Sequence, residues 1–303
     1  MKKKFLKKQN QVTNIFQEIW SKSEVYDDGA TANKSKKTYS FLSDHKYKKW
    51  IKKTMLHKTK KHEPKIIDFG CGLGVSAYAI LKEYKNFDYT GHDLIDLKKT
   101  KIYLKKKGFN KITLKRNDFS QSKNIEKNKY DLALALGSLH HTRSVKFSLK
   151  NTSKYLKKGG RYIGWIINEQ SPLRKSTDSI LRKYYLSLKT NREKWNEAKK
   201  HARLSKIISK KLGNSKIKLD FDIPSWEIKK GKYKLQTLIF DYIVKIDYSP
   251  TLSKSTHQIF DWYAPTYYHQ TSRNKLKKII ESMRVSNIEI VTKRNGHFFT
   301  FIK

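Results

Sequence analysis

Ile66–Gly74 combines a short apolar run with a glycine-spaced loop, and this combination limits the folds open to the chain. Glycine occupies positions 70, 72 and 74, where it allows positive φ angles and lets a ligand lie against the backbone. Helical residues follow from Val75, and a helix N-terminus offers free N–H groups and a positive dipole end. A strand, a glycine-rich loop and a helix in this order indicate an anion-binding turn.

Short apolar runs alternate with helical stretches over residues 65–167, which predicts a parallel sheet with crossover helices. The predicted strands are Lys65–Phe69, Asp88–Asp93, Lys111–Lys115, Asp131–Leu136 and Arg161–Ile167. The predicted helices are Val75–Glu83, Leu94–Lys107 and Val145–Leu156, with a short turn near Ile125. Asn295-Gly296 predicts a hairpin between two final strands, Asn287–Thr292 and Phe298–Ile302. We therefore expect an α/β, Rossmann-like, doubly wound and mostly parallel seven-stranded sheet with an antiparallel terminal hairpin.

The flanking regions lack this alternation and predict mainly helices. The N-terminal sixty residues read as a basic tail followed by helices at Val12–Trp20 and Asp44–His57. Later helices are predicted at Ile180–Leu188, Trp195–Leu212, Leu235–Lys245, Lys254–Tyr263 and Lys275–Met283, with turns at Asp222-Ile223-Pro224 and Lys230-Gly231. Four segments are expected: a cap (1–60), a cofactor-binding core (61–168), a helical lid insertion (169–272) and a C-terminal helix with the hairpin that completes the core (273–303).

Acidic residues stand at the ends of three successive predicted strands, at Asp68, Asp93 and Asp118. An acid about 20 residues beyond a glycine loop can bind both ribose hydroxyls. Taken alone, each Asp is equally consistent with a turn or cap residue. A nicotinamide or flavin enzyme would share the loop and Asp93. Its glycines would follow G-x-G-x-x-G, however, whereas here they follow G-x-G-x-G and an acid, Asp68, precedes them.

In combination, these residues resemble the class I S-adenosylmethionine-dependent methyltransferase family. Ile66–Gly74 resembles the family's first motif, Tyr130–Thr142 its fourth-strand motif and Leu156–Arg161 its turn before strand five. The resemblance covers residues 65–167 in order and implies S-adenosyl-L-methionine as the cofactor. The cofactor-binding residues that it implies are Asp68, Gly70, Cys71, Gly72, Gly74, Asp93, Leu94, Asn117, Asp118, Phe119, Leu136 and Gly137.

The later part of the chain resembles one bacterial subgroup of uncharacterised family members. The shared segments are Pro172-Leu173-Arg174 with Asp178, Lys230-Gly231-Lys232-Tyr233 with Gln236, and Phe260–Pro265. This resemblance implies that the insertion is a lid of the same enzyme, and it implies no substrate.

The residues after the fourth strand bear on the methyl acceptor. Gly137-Ser138-Leu139-His140 replaces the Asn/Asp-Pro-Pro-Tyr/Phe motif of enzymes that methylate nucleobase or glutamine nitrogens, which argues against those acceptors. His140 and His141 are the catalytic candidates, because an imidazole on this rim can take a proton from a hydroxyl. The alternative is a rim residue bonded to backbone. No companion Cys, His or Asp cluster at ligand spacing is present, so no metal is expected.

Four residues of the later chain are candidates for substrate binding: Arg174, Trp262, Tyr263 and His269. The stretch Asp261–His269 is dense in aromatic side chains with polar tips, which can wall a pocket or form ordinary lid core. Arg174 can clamp an acidic group bidentately, or belong to a solvated basic face. Trp20, Tyr26 and Tyr39 are expected to close the pocket from the N-terminal side.

The high positive net charge of the chain has two interpretations. Lys and Arg number 68 and Asp and Glu 26, so the formal net charge is +42, which either attracts a polyanion or reflects a compositional drift towards lysine. The lone cysteine, Cys71, suits a reducing cytoplasm, and no apolar run approaches the roughly 18 residues of a transmembrane helix.

Three functions follow from these patterns. The first is methyl transfer to a small-molecule or glycan acceptor, the second is an RNA or protein methyltransferase that uses the basic surface, and the third is a non-catalytic protein at an anionic membrane surface. The basic segment Lys2–Lys8 motivates the third.

Overall fold

A seven-stranded mixed sheet dominates the computed structural model, which describes residues 2–21, 45–59, 63–81, 83–84, 87–109, 111–121, 126–246, 251–293 and 295–303. Its strands are β1 (Lys65–Phe69), β2 (Asp88–Asp93), β3 (Ile112–Arg116), β4 (Tyr130–Leu136), β5 (Leu156–Ile167), β8 (Ser286–Lys293) and β9 (Gly296–Ile302). The strand order is β3-β2-β1-β4-β5-β9-β8. The first five strands pair in parallel, and β9 pairs antiparallel to both β5 and β8. The predicted Rossmann-like fold class is therefore confirmed.

Helices cover the sheet and form most of the insertion. They are α1 (Lys2–Ser21), α2 (His45–Thr59), α3 (Val75–Leu81), α4 (Lys98–Lys106), α5 (Val145–Ser153), α6 (Pro172–Ser187), α7 (Asn191–Leu212), α8 (Leu235–Leu238), α9 (Leu252–Tyr263) and α10 (Arg273–Glu281). A π-helix, Ile239–Ile243, continues α8. Contacts divide the chain into two units: the core unit (Glu24–Asn168 and Tyr267–Lys303) and the insert unit (Met1–Ser23 and Glu169–Thr266).

The hydrophobic core of the core unit lies between one face of the sheet and helices α5 and α10. Phe69 of β1 and Phe299 of β9 are fully buried there, together with Leu149 of α5 and Leu276 of α10. Alternation along β1 turns Ile66 and Asp68 to the opposite face, since successive strand residues point to opposite sides. Helix α2 packs against β5 and buries Trp50.

The insert unit is held together by contacts of α9 with α6, α7 and α1. Ala198 and Ala202, one helical turn apart on α7, are fully buried, and small side chains of this kind allow close approach of two helices. Thr190 and Glu193 form a reciprocal capping box that begins α7.

Two antiparallel strands of the insert unit were not predicted from the sequence, namely β6 (Lys216–Leu219) and β7 (Gly231–Lys234). Both contain alternating lysines that are exposed and none of their residues is buried, so the apolar signal of a strand is weak. The sequence predicted a mostly helical insertion, and this hairpin is a part of it that the prediction missed. The predicted helix Leu235–Lys245 is also shorter, because it changes to the π-helix and ends at Ile243.

Helix α4 begins at Lys98 rather than at the predicted Leu94. The Asp93 carboxylate accepts hydrogen bonds from the Leu94 and Ile95 amides, and the Asp96 carboxylate accepts one from the Lys98 amide. These side chains satisfy the backbone in a non-helical conformation, which delays the helix. The first helix is longer than predicted, because the segment expected to be a basic tail is helical from Lys2. The predicted turn near Ile125 lies outside the described residues.

Candidate active site

The loop between β1 and α3 is shaped by its glycines. Gly70, Gly72 and Gly74 have φ angles of 78°, 51° and 80°. The Gly70 and Cys71 amides both donate to the His92 carbonyl, at 2.7 and 3.1 Å, which ties the loop to β2. A Cβ on Gly70 would lie 2.3 Å from the Ser138 Cβ, so a side chain here is excluded by packing as well as by φ.

Asp93, at the end of β2, meets this loop directly. Its Oδ2 accepts a hydrogen bond from the Gly72 amide at 2.8 Å, and its Oδ1 accepts from the Leu94 amide at 2.7 Å. Burial raises the pKa of Asp93, while the backbone donors oppose that rise. The acid of the second strand and the glycine bend after the first strand therefore form one constellation.

Asp68 and Cys71, at the start of this loop, both have buried side chains. The Asp68 carboxylate is buried and accepts a hydrogen bond from the Tyr89 hydroxyl at 2.9 Å. Burial raises the pKa of Asp68 to about 7 and raises that of the Cys71 thiol as well. Both side chains are thus enclosed by the protein, and Tyr89 is a hydrogen-bond partner of Asp68.

The segment after β3 was predicted to bind the cofactor through Asn117, Asp118 and Phe119. The Asp118 carboxylate accepts from the Ser120 amide and hydroxyl and from the Gln121 side-chain amide, at 2.9, 2.6 and 3.0 Å, so it stabilises a turn. Phe119 is buried and its ring centroid lies 5.6 Å from that of Phe69. The structure thus gives the Asp118 carboxylate a role in a turn and places the Phe119 ring in the hydrophobic core.

Asn117 and His92 form a pair that was not predicted. The His92 Nδ1 lies 2.7 Å from the Asn117 Oδ1, which assigns the proton to Nδ1. Burial lowers the pKa of His92 to about 4, so the ring is neutral at pH 7. In the sequence, only the position of His92, one residue before Asp93, indicated that it lies near the predicted site.

The end of β4 lies beside the glycine loop. The Ser138 hydroxyl donates to the Phe69 carbonyl at 2.6 Å, and the Gly137 amide donates to the Trp165 carbonyl at 3.2 Å. Leu136, the last residue of β4, is half-buried and pairs with Trp165 of β5. A short 3₁₀-helix, Leu139–His141, follows.

His140 is the buried centre of an aromatic cluster at this rim. It is 2% exposed, and its ring centroid lies 4.1 Å from that of His141, 5.6 Å from Trp165 and 6.2 Å from Tyr268. The His140 Nδ1 has no hydrogen-bond partner in the structure. Burial, with the nearby His141 and His269, lowers the pKa of His140 well below its usual value. At neutral pH the ring is uncharged and carries a nitrogen lone pair.

His141 and His269 are bound to backbone. The His141 Nδ1 lies 3.1 Å from the Tyr267 carbonyl, and the His269 Nε2 lies 2.9 Å from the Thr142 carbonyl. The His269 amide also donates to the His140 carbonyl at 2.9 Å. His269 was grouped with Trp262 and Tyr263 in the sequence, but the structure brings it to the end of β4.

The other three substrate-binding candidates lie together in the insert unit. The Asp178 carboxylate accepts from the Arg174 Nε at 2.9 Å, the Trp262 Nε1 at 3.0 Å and the Tyr263 hydroxyl at 3.0 Å. Arg174 is fully buried, so the expectation of a solvated basic face is wrong. A bidentate clamp is also unavailable through its Nε and Nη1, because Nη1 donates to the Phe240 carbonyl.

The three remaining expectations concern the N-terminal aromatic side chains, a metal ion and a membrane-spanning helix. Trp20 is half-buried on α1 in the insert unit, whereas Tyr26 and Tyr39 lie outside the described residues. Within the described ranges, no group of three or more His, Cys, Asp or Glu side chains could hold a metal ion. No described helix is long and apolar enough to cross a membrane.

Part of the chain matches a known family of protein domains. Residues 67–162 match a family model described as a methyltransferase domain. No curated protein sequence matches the chain. Magnesium protoporphyrin IX methyltransferase (ChlM) from Synechocystis PCC 6803, solved with bound SAH, is 11% identical, with 98% of this chain and 99% of that chain covered and a TM-score of 0.52. This likeness shows the fold.

Two other solved structures are similar to this chain with lower TM-scores. The [4+2]-cyclase SpnF is 16% identical over 42% of this chain and 47% of that chain, with a TM-score of 0.35, so the match spans less than half of SpnF. The Burkholderia thailandensis 1,6-didemethyltoxoflavin-N1-methyltransferase is 12% identical over 84% of this chain and 76% of that chain, with a TM-score of 0.43. Residues 67–162 therefore match a methyltransferase domain, and the sheet around them has the Rossmann-like topology that ChlM shares.

Proposed function

We propose that this chain binds S-adenosyl-L-methionine in the core unit and transfers its methyl group to a small-molecule or glycan acceptor. The observation that carries the proposal is the 2.8 Å hydrogen bond from the Gly72 amide to the Asp93 carboxylate. It joins a positive-φ glycine bend to an acid at the end of the next strand, the arrangement that suits a ribose beside a glycine-lined loop.

The residues at this site fit such a cofactor. Gly70, Gly72 and Gly74 present backbone without side chains, and Gly137 would place a Cβ no closer than 3.7 Å from the Trp165 ring. When bound, the sulfonium cofactor supplies an electrophilic methyl group. The protein's part is then to hold the acceptor in line with that group and to exclude water.

His140 is the proposed general base. Its uncharged ring and unpartnered Nδ1 can take the proton that an acceptor hydroxyl loses as the methyl group arrives. Ser138 ties this segment to Phe69, the residue before Gly70, so His140 lies two residues along the chain from a direct contact with the cofactor loop. Trp165 and Tyr268 surround the imidazole with ring surface, which favours a small acceptor over a polymer.

Calorimetry with S-adenosylhomocysteine tests cofactor binding. We expect saturable binding to the wild-type chain, a large loss of affinity in Asp93→Asn and no loss in Asp96→Asn. Asp96 is an exposed acid three residues away, so the control makes the same charge change. Absence of binding to the wild-type chain, or equal effects of the two substitutions, would exclude the proposal.

RNA or protein methylation is the second candidate, and the distribution of exposed lysines supports it. Helix α4 exposes Lys98, Lys99, Lys101, Lys105 and Lys106 beside the edge strand β3, which exposes Lys115 and Arg116. A basic edge of this kind attracts phosphates, and the affinity would fall steeply with salt. RNA binding that does not change between low and high salt would argue against this candidate. A non-catalytic role at an anionic membrane is distinguished by Asp93→Ala, which would leave that role intact.

A cytoplasmic location remains a prediction from the single cysteine.

A further inference from the structure

Large apolar side chains are exposed mainly in the insert unit. Among the described residues, the core unit exposes two of them, Ile102 and Phe147, whereas the insert unit exposes seven. Single exposed apolar side chains are ordinary, but a group of them with polar neighbours is typical of a surface that contacts another molecule or a membrane. The group that also has many basic neighbours lies on α7 and on the β6–β7 hairpin that follows it.

Helix α7 carries apolar residues on two opposite faces. Ala198 and Ala202 are fully buried on its inner face. Since a helix completes a turn in about 3.6 residues, Leu204 and Ile207 lie on the opposite, outer face, where they are 54% and 59% exposed. The exposed basic residues of this part of α7 are Lys199, Lys200, Arg203, Lys210 and Lys211.

The charge of this segment is of one sign. Residues 198–212 contain no aspartate or glutamate, so its lysines and arginine have no acidic neighbour along the helix. Leucine and isoleucine among cations are typical of a helix that lies in the plane of a bilayer, with apolar groups below the headgroups and cations beside the lipid phosphates. The outer face of α7 has this composition, although its inner face packs within the protein.

Lysines also face each other across the β6–β7 hairpin. Lys216 pairs with Lys234 and Lys218 pairs with Lys232, and all four residues are exposed. Neither strand contains an acid. Directly opposite residues lie on the same face of a sheet with Cβ atoms about 5 Å apart, where like charges are destabilising. The hairpin therefore concentrates four positive charges on one face, and an anionic surface would relieve their repulsion.

The connection between β6 and β7 exposes two aromatic side chains, Phe221 and Trp226. Its backbone is ordered, because the Ile223 amide donates to the Ile228 carbonyl at 2.8 Å and Ile228 is buried. Aromatic side chains that stand among lysines at such a loop can enter the headgroup layer of a bilayer.

Hydrogen bonds join the hairpin to the C-terminal end of α7. The Gln236 side-chain amide donates to the Ser209 carbonyl at 3.1 Å, and the Leu235 amide donates to the Ser215 carbonyl at 2.9 Å. The helix and the hairpin are therefore one continuous part of the insert unit.

We propose that the outer face of α7 and the β6–β7 hairpin bind the surface of an anionic lipid bilayer. The cations attract the negative headgroups, and Leu204, Ile207 and Phe221 enter the boundary between headgroups and acyl chains. The two aliphatic side chains favour a bilayer over RNA, since they have no flat face on which a base can stack. This surface lies wholly within the insert unit and does not depend on methyl transfer.

Sedimentation of the full chain with lipid vesicles tests the apolar part of this surface. We expect binding to vesicles of equal parts phosphatidylserine and phosphatidylcholine, and much weaker binding to vesicles of phosphatidylcholine alone. Leu204→Ser combined with Ile207→Ser should weaken binding to the mixed vesicles at least about tenfold, because two apolar side chains no longer leave water. Ile102→Ser combined with Phe147→Ser should leave it unchanged. This control replaces side chains that are 56% and 58% exposed, and neither double variant alters the net charge.

A second pair of variants tests the charges. Lys218→Gln combined with Lys232→Gln removes one facing pair of the hairpin and should weaken binding to the mixed vesicles at least about tenfold. Lys275→Gln combined with Lys278→Gln removes the same charge from exposed positions of α10 and should leave the binding unchanged. All of the substituted positions are exposed, and thermal unfolding checks that each variant is folded.

Polyuridylate, a single-stranded RNA, distinguishes the other polyanion, and the Leu204→Ser, Ile207→Ser variant should bind it as the wild type does. Absence of binding to the mixed vesicles, or equal vesicle binding by the two apolar double variants, would overturn the proposal. Loss of polyuridylate binding with unchanged vesicle binding in Lys218→Gln, Lys232→Gln would assign the surface to nucleic acid and also overturn it. Binding of S-adenosylhomocysteine to the same samples reports separately on the proposed cofactor site.

Discussion

The Gly72 amide and the Asp93 carboxylate are joined across the first two strands of the sheet by a hydrogen bond of 2.8 Å. The other carboxylate oxygen accepts from the Leu94 amide at 2.7 Å and the Ile95 amide at 3.3 Å. One side chain thus holds the glycine bend and the turn before α4 together. Asp93→Asn should lower the free energy of unfolding by about 1–3 kcal/mol, because its NH₂ group would face a backbone donor. Urea unfolding of this variant and of Asp96→Asn measures the difference.

Gly70→Ala should be more damaging than Gly159→Ala, although both glycines have φ near +78°. At Gly159 an added Cβ meets nothing within 4 Å, so only the backbone strain of about 1–2 kcal/mol is expected. At Gly70 the Cβ would collide with Ser138, which adds about 1–3 kcal/mol. Equal destabilisation in urea unfolding would show that the loop moves away from β4 without cost.

Asp68 should make the stability of the fold depend on pH. Burial raises its folded-state pKa to about 7, above the value of about 4 in the unfolded chain. Between those two values the folded chain binds more protons, so this contribution to stability is present below about pH 4 and is lost as the pH rises towards 7. In the wild-type chain, the free energy of unfolding should fall by up to about 1 kcal/mol per pH unit because of Asp68, and Asp68→Asn should remove this fall. If the free energies of unfolding of the wild type and the variant differ by a constant amount from pH 4 to 7, the raised pKa of Asp68 is contradicted.

His140→Gln should reduce turnover of a hydroxyl acceptor by about 100-fold, since a general base contributes roughly that factor. Affinity for S-adenosylhomocysteine should not change. Because the pKa of His140 lies below its usual range, wild-type activity should be level above about pH 6.5 and fall only in more acid solution. His141→Gln is the control, since its Nδ1 faces a backbone carbonyl. An equal loss in both variants would indicate a structural role for the pair.

Asp178→Asn should lower the free energy of unfolding by about 3–5 kcal/mol, because it removes the counter-charge of the fully buried Arg174. Asp220→Asn, an exposed acid of the same unit, should change it by less than about 0.5 kcal/mol. Thermal unfolding of both variants distinguishes them, and similar midpoints would show that the Arg174 charge is met by another group.

Much of the core unit follows from local sequence. β1 and β2 begin and end at the predicted residues, and β1 contains an apolar pair that leads into a glycine turn. The loop after β1 follows from its glycines. The terminal hairpin was predicted with its turn at Asn295-Gly296, but Gly296 pairs with Lys293 and belongs to β9. The β6–β7 hairpin escaped prediction, because each strand has only four residues and its apolar side chains, Ile217, Leu219 and Tyr233, are only half-buried.

The amino-acid sequence by itself determined the strand–loop–helix that begins the core and the alternation of strands and helices after it, because turn chemistry and side-chain periodicity act over a few neighbouring residues. Only the tertiary structure decided that His269 lies with His140 at the end of β4, that Asp118 serves a turn, and that Arg174 is buried against Phe240. His140 and His269 are more than a hundred positions apart in the sequence. Contacts of this kind depend on the path of the chain rather than on any local pattern.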